Sequence, residues 1–322
     1  MATTTLIAGW TTAQVTKNRL HEFFGRQADQ IANTFYTDMV NNVSILQGVR
    51  GLWKVQGKFD YVSFSTYIKS LTSNQEHIPG FSGYLYAAAL PKSQIKQKEI
   101  EIINEKMIPA IYRNFAIKSD LKDEPIYPVL YVEPTGGRER ALGLDFAGLP
   151  QRKKAIEYAR DNNALATTTA VTLRTTGKPG FFFFLPLYKD GLEPDQLGER
   201  RDMFRGVVGV AFRSLTAFEQ IYGKGDPYPL IDFKIYQGES QDEERLLYHH
   251  DPNFVTSKAI FDTVRTVRLQ GQAWTVVVYA KPSLALGEPE SRLPLYVFLG
   301  GALATVGVAI YFVIRLVGDA KN

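Results

Sequence analysis

The chain has 322 residues, 45% of them hydrophobic and 22% charged, proportions that fit a folded protein and exclude a disordered or collagen-like one. With no cysteine it carries no thiol nucleophile, zinc ribbon, iron–sulfur ligand set or structural disulfide, although that absence neither shows nor excludes export. The formal charge of +4 comes from 37 basic against 33 acidic residues spread along the chain, which is no footprint for nucleic acid.

Residues 2–16 carry no charge, yet only Leu6, Ile7, Trp10 and Val15 are strongly apolar and no basic segment precedes them. They read either as the outer end of a first transmembrane helix or as the uncharged start of a soluble one. From about residue 12 to 53 the pattern is helical, with Phe24, Ala28, Ile31, Phe35, Met39, Ile45, Val49 and Leu52 on one apolar stripe interrupted by Asn42. That stripe suits either a stalk paired with a second copy in a parallel homodimer, or a helix lying on its own domain. The pattern changes at Gly57, and 59–71 reads as a shorter helix closed by the polar run 72–76.

After Pro79 and Gly80 the text becomes strand-like over 83–90, followed by a charged amphipathic helix over about 94–110. Residues 127–132 form the next strand, between Pro125 and Pro134. Residues 145–162 read as a helix, in which Asp145 marks the start and Arg152 lies on one face. The stretch 167–175 is rich in β-branched residues, 180–188 is an aromatic strand and 206–212 is a third. Strands lying next to one another in sequence argue for an antiparallel α+β sheet and against a doubly wound parallel one.

The same grammar repeats from Ser214, with a helix over 215–222 and strands at 231–236, 246–248, 259–269 and 274–279, the last two flanking a turn at Gly271. The chain therefore divides into a stalk and second helix over 17–74, a distal α/β module over 75–212 and a membrane-proximal module over 213–282. No fixed-period repeat relates the modules. Residues 293–314 contain no charge and are long enough for a transmembrane helix, since a hydrocarbon core of ~30 Å needs about 20 helical residues. Tyr296 and Tyr311 lie toward its ends, Glu288, Glu290 and Arg292 precede it, and Arg315 and Lys321 follow it with Asp319 between. This bias points the C-terminus to the cytoplasm and the bulk outside. Gly300 and Ala304, four apart, let two such helices approach closely.

No P-loop, G-x-G-x-x-G, G-x-S-x-G or H-E-x-x-H motif is present, and the four histidines are His21, His77, His249 and His250. His249, His250 and Asp251 invite a metal, but adjacent strand residues point to opposite faces, so no metal site is expected. The run Gly177, Lys178, Pro179, Gly180 suits a hairpin turn better than a phosphate cradle, because no helix starts after it. No catalytic residue set and no cofactor site can be assembled from these spacings, so an enzyme is not expected.

Five short motifs occur in order: Tyr127 to Pro134, Leu142 to Phe146, Arg152 with Ala155 and Ala159, Phe184 to Tyr188, and Gly206 to Arg213. Together they resemble a CHASE domain, the exported sensory domain that precedes histidine kinases and cyclases, over roughly residues 15–282. The resemblance implies a long N-terminal stalk helix, two PAS-like antiparallel modules and a C-terminal transmembrane helix, with a small-molecule ligand held in the distal module. It also implies a periplasmic or extracellular location and a cytoplasmic kinase or cyclase, reached either in a longer chain or through a partner. In plant cytokinin receptors of this family an aspartate before the Pro-Val strand contacts the adenine ring, and Asp123 and Glu124 lie near that place here.

For the pocket, Tyr127 and Tyr131 share one face of their strand, and Phe182 and Phe184 share one face of the aromatic strand. Thr167 and Thr169 supply hydroxyls from the strand between. These strands are expected to converge on one mainly apolar cavity, with a carboxylate from Asp123 or Glu124, suited to a small, flat or weakly basic organic ligand. The competing readings are a membrane-anchored interaction or scaffold protein with an unoccupied pocket, and a surface enzyme, which lacks any nucleophile and base.

Overall fold

The computed structural model describes residues 2–72, 81–121, 124–135, 139–172, 179–213, 218–219, 221–223, 227–287 and 293–319. The chain opens with α1, Ala2–Gln56, 55 residues and so about 80 Å at 1.5 Å per residue. Its inward positions Phe24, Ala28, Ile31, Phe35, Met39, Asn42, Leu46, Val49 and Trp53 recur at steps of three or four, and all are buried. The helix stops where Gly57 takes φ +71° and its N–H closes back on the Trp53 carbonyl at 2.7 Å.

The apolar stripe is taken up within the chain, because α1 lies along the faces of two sheets and touches β5, β6, β9 and β10. The pairing of two stalks through Phe24 to Leu52 is therefore not available to that face: its residues are already covered. Asn42, the break in the stripe, is fully buried and accepts from the Tyr84 hydroxyl at 3.5 Å while donating to the Asp38 carbonyl at 2.9 Å.

Helix α2, Tyr61–Thr72, starts at Asp60, whose carboxylate accepts the Ser63 N–H at 2.7 Å. The first sheet contains β1 (Phe81–Ala88), β2 (Val129–Glu133), β3 (Ala166–Thr167), β4 (Val171–Thr172), β5 (Pro179–Tyr188) and β6 (Phe204–Arg213) in the order β2-β1-β6-β5-β3, with β4 also on β5. The second contains β7 (Ile231–Gln237), β8 (Leu246–His249), β9 (Phe261–Leu269) and β10 (Gln272–Ala280) in the order β8-β7-β10-β9. Every pairing between these strands is antiparallel, so the fold is α+β with a long N-terminal helix and two antiparallel sheets. The β9–β10 turn has positive φ at both central residues, Gln270 and Gly271, which matches the twist of the flanking strands.

The first sheet has two covered faces. Tyr131, Tyr86, Tyr84, Leu185, Phe183 and Phe181 turn toward α1 and α2, and Phe182 and Phe184 turn toward α4, Pro150–Asn162. Trp274 of the second sheet, fully buried, meets Phe35 of α1 at 5.8 Å and Phe183 of the first sheet at 5.7 Å edge to face, so helix and both sheets meet in one core. Gln237 and Gln272, at the ends of the two inner strands of the second sheet, donate to the carbonyls of Thr167 and Leu165 at the β3 edge of the first.

Three helices differ from expectation. Helix α3 is Ile95–Ile103 and ends well before residue 110, since Pro109 disfavours helix at Ile108 and Met107 already sits at φ 59°. Helix α4 begins at Pro150, with Asp145 capping a separate turn over Phe146–Gly148. The short α5, Leu197–Met203, is an addition. The expected helix over 215–222 is described only at 218–219 and 221–222.

After α6, Pro282–Gly287, the terminal run forms α7, Leu293–Asp319, which packs along α1. Among the described residues no helix is long and apolar enough to cross a membrane. The side chains described in α7 lie between Tyr296 and Tyr311, and of these Tyr296, Leu299, Leu303, Val306, Ile310 and Tyr311 are exposed. The flanking residues 288–292 and 320–322 lie outside the described residues.

Candidate functional site

A single irregularity in the first sheet separates the two tyrosines expected on one face. Tyr86 pairs with Tyr131, but the next partner of Ala87 is Val129, so the register skips Leu130. Tyr127 falls before the strand and packs on Phe204 at 6.1 Å, on the α4 side. Its hydroxyl is buried without a hydrogen-bond partner among the described residues, and burial pushes its pKa up to about 12. Tyr131 faces the other way, toward α1 and α2. The expected convergence of 127–132 with the aromatic strand therefore does not occur: β2 and β5 are separated by β1 and β6, and Tyr131 lies on the face opposite Phe182 and Phe184.

Phe182 and Phe184 form a closed layer with Phe146, at 5.3 and 6.0 Å between ring centroids. The Arg152 guanidinium, buried in the same layer, stands 4.5 Å above the Phe146 ring and 4.9 Å above Phe182, a cation–π contact from the α4 face. Phe181 and Phe183 pack on Phe212, so both aromatic pairs are core. The threonine expectation is off by one residue. Strand β3 is only Ala166–Thr167, so strict alternation lapses: Thr168 turns inward and accepts the Phe182 N–H at 3.0 Å. Thr169 is exposed, and Thr167 uses its carbonyl toward Gln237. Glu124 is exposed and accepts the Lys92 N–H at 2.9 Å, and Asp123 lies outside the described residues.

A cleft of about 520 Å³ opens on the α1 side of the same sheet. Tyr86 and Tyr131 form its floor, Trp53 and Phe59 from the end of α1 and the following turn form one wall, and Ile102 of α3 the other. The rings are locked together: Trp53 lies 5.7 Å from Tyr86 and 5.0 Å from Phe59, and Tyr86 lies 5.9 Å from Tyr131. Lys58, Lys98, Glu101 and Arg205 also line it. Of the expected site residues, only Tyr131 takes part.

Below the cleft the Tyr131 hydroxyl donates to the Glu105 carboxylate, which also accepts the Tyr61 N–H at 2.8 Å. Burial, and then the adjoining Glu105, hold the Tyr131 phenol well above its usual range. Burial likewise raises Glu105, against the two hydrogen bonds that favour its ionised form. Lys58, Lys98, Glu101 and Arg205 had no sequence signal, because they come from three separate segments with no local motif.

In the second module His249 bonds the buried Asp232 at 2.8 Å, and His250 stacks on Phe233 at 4.8 Å. Asp251 pairs with Lys281 at 2.8 Å. The side chains of the three residues thus have separate partners, while the Asp251 N–H also donates to Asp232 at 2.9 Å.

Comparison with known proteins places this architecture. A family model described as CHASE domain matches residues 57–248. The chain belongs to the CHASE-domain family. The matched region of this CHASE-domain protein takes in the whole first sheet and every lining residue of the cleft except Trp53. No curated protein matches it. Among solved structures, the periplasmic sensory domain of the Campylobacter jejuni chemoreceptor Tlp1 is similar with a TM-score of 0.53 at 14% identity, over 85% of this chain and 99% of that one. The ligand-binding domain of the Pseudomonas fluorescens chemoreceptor CtaA, solved with L-leucine, gives a TM-score of 0.48 at 9% identity over 85% and 99% of the two chains. That of the Pseudomonas aeruginosa PAO1 amino acid chemoreceptor PctB, solved with L-Arg, gives 0.48 at 11% identity over 84% and 99%. At these identities the likeness is one of fold.

Proposed function

We propose that this CHASE-domain protein is an extracytoplasmic sensory module that binds a small organic molecule in the cleft over Tyr86 and Tyr131. The observation that carries the reading is that one wall of the cleft, Trp53, belongs to α1, the same helix that packs along α7. A ligand that closes on Trp53 changes the seating of α1 on the first sheet. Such a ligand must bind one seating of α1 better than another, because only differential affinity shifts a conformational equilibrium.

In this reading 293–314 spans the inner or plasma membrane with the bulk periplasmic or extracellular, and α7 carries the displacement to a cytoplasmic kinase or cyclase, in the same polypeptide or a partner. The uncharged sequence of 293–314 and its exposed apolar side chains support the span. The domain limits are a stalk and second helix over 17–74, a distal module over 75–212 and a membrane-proximal module over 213–282, the first sheet falling in the second of these and the second sheet in the third. Two copies pair, in this reading, through the polar face of α1 that carries Asn33, Thr37 and Asn41, leaving the apolar stripe on the sheets. The module binds and transmits, and catalyses nothing.

The test is a metabolite screen by thermal shift on the full chain in detergent, followed by Tyr86→Ala. A compound that raises the melting temperature of the wild type and not of the variant supports the reading. No shift from any compound favours the interaction or scaffold protein with an unoccupied pocket.

A further inference from the structure

The charges around the cleft are unequal once their pairings are followed. Three cations, Lys58, Lys98 and Arg205, line it against one acid, Glu101. Lys98 and Glu101 neutralise one another in an ion pair at 2.5 Å. Among the described residues Arg205 donates only to neutral acceptors, the carbonyls of Asp202 at 3.2 Å and Phe204 at 2.9 Å, so one edge of its fork is fixed while no described carboxylate compensates its charge. Lys58 has no acidic partner among the described residues. Glu105, the nearest further carboxylate, is already held by Tyr131 and Tyr61.

Beside these two cations lies an acceptor and donor in reserve. The Tyr86 hydroxyl makes no hydrogen bond among the described residues. Burial and Glu101 raise its pKa while Arg205 pulls the other way, which places Arg205 within electrostatic reach of it. The walls are aromatic, and inorganic anions leave such walls unused. An amine would have to displace Lys98 from Glu101 and face two uncompensated cations.

We propose that the ligand of this cleft is an organic anion, a carboxylate held by Arg205 and Lys58 whose apolar body stacks between Trp53, Phe59, Tyr86 and Tyr131. The inference rests on the reading of the cleft as a ligand site and names the class of molecule it takes. It replaces the weakly basic ligand expected when Asp123 or Glu124 was to supply a carboxylate, since Glu124 is occupied by Lys92 away from the cleft.

The experiment is calorimetric titration of the full chain in detergent near neutral pH with phenylacetate, and with phenylacetamide and phenethylamine as neutral and cationic matches. Phenylacetate is expected to bind at least about tenfold more tightly than either, because charge-assisted hydrogen bonds are roughly twice as strong as neutral ones. Arg205→Gln and Lys58→Gln should each weaken phenylacetate about tenfold or more without changing binding of the amide, and melting temperatures check that both variants fold. Lys58 is exposed, so its variant tests the site even where the other is unstable. Equal or tighter binding of the amide or amine overturns the anion and leaves the ligand site standing. Phenylacetate binding that neither substitution changes overturns the assignment to this cleft. If none of the three binds, the anion proposal fails, and a screen that also finds no other compound removes the ligand site itself.

Discussion

Trp53 of α1 and Tyr86 of β1 lie 5.7 Å apart with their rings tilted at 46°, and the Trp53 Nε1–H donates to the Tyr188 carbonyl at 2.7 Å. One side chain therefore fastens the last turn of a 55-residue helix both to the floor of the cleft and to the end of the strand that runs through the middle of the core. Any change in the cleft that moves Tyr86 or Phe59 is felt by α1, and the same contact makes the helix terminus a strong contributor to stability.

Trp53→Ala should cost about 3–5 kcal/mol in urea denaturation, from lost burial plus the cavity left between helix and sheet. Trp53→Phe should cost less, about 1–3 kcal/mol, as most of the packing survives and only the hydrogen bond to Tyr188 is lost. A cost below about 1 kcal/mol for the alanine variant would show that α1 is not anchored here.

Gly191 sits at φ +68° in the turn after β5, and a Cβ there would meet the Cα of Lys54 at 2.5 Å. Beside it Glu193 bonds Lys54 at 2.6 Å and Arg50 at 3.3 Å, and the pair of cations holds its carboxyl below the usual range. Gly191→Ala should destabilise by more than the ~1–2 kcal/mol of left-handed strain alone, because the turn must also move off α1. Destabilisation confined to that strain would mean the turn and helix separate freely.

Asp38 is buried on α1 between Asn42, Tyr84 and Tyr222, and burial raises its pKa from the ordinary 3.8 to about 7. The folded state thus holds a proton that the unfolded chain releases. The resulting stabilisation is full below pH 3.8 and is lost as pH rises to about 7. Asp38→Asn should flatten this slope and raise stability at neutral pH by on the order of 1–3 kcal/mol, measured by urea denaturation across a pH series. An unchanged slope would mean that the Asp38 carboxylate is hydrated in solution.

The architecture was largely legible, and the site was not. Strand and helix types follow from local periodicity, so the antiparallel pattern and the aromatic strand could be read directly. The stripe on α1 was visible too, but its partner was not, since a stripe facing a sheet and one facing a second helix have the same spacing. The face of Tyr127 depended on the skipped Leu130, a tertiary detail with no sequence signature. Helix α3 stopped early because one proline outweighed the helical pattern ahead of it. Lys58, Lys98 and Arg205 stand in unrelated segments and meet only after β1 and β6 pair.

Replacing Val306, an exposed residue in the middle of α7, with Arg should weaken membrane insertion by ~2.5–3.5 kcal/mol in a glycosylation-reporter assay, the cost of a charge at a helix centre. Equal insertion of variant and wild type would remove the transmembrane role proposed for 293–314.

Hydrogen exchange on the full chain, with and without a compound that raises its melting temperature, decides whether the cleft over Tyr86 and Tyr131 holds the ligand. A ligand in the cleft should add protection around Trp53 and Phe59, along 86–90 and at Leu130 and Tyr131, the segments that line it. Protection confined to 146–156 and 182–184, beneath α4, would place the ligand on the opposite face of the sheet and contradict the cleft site.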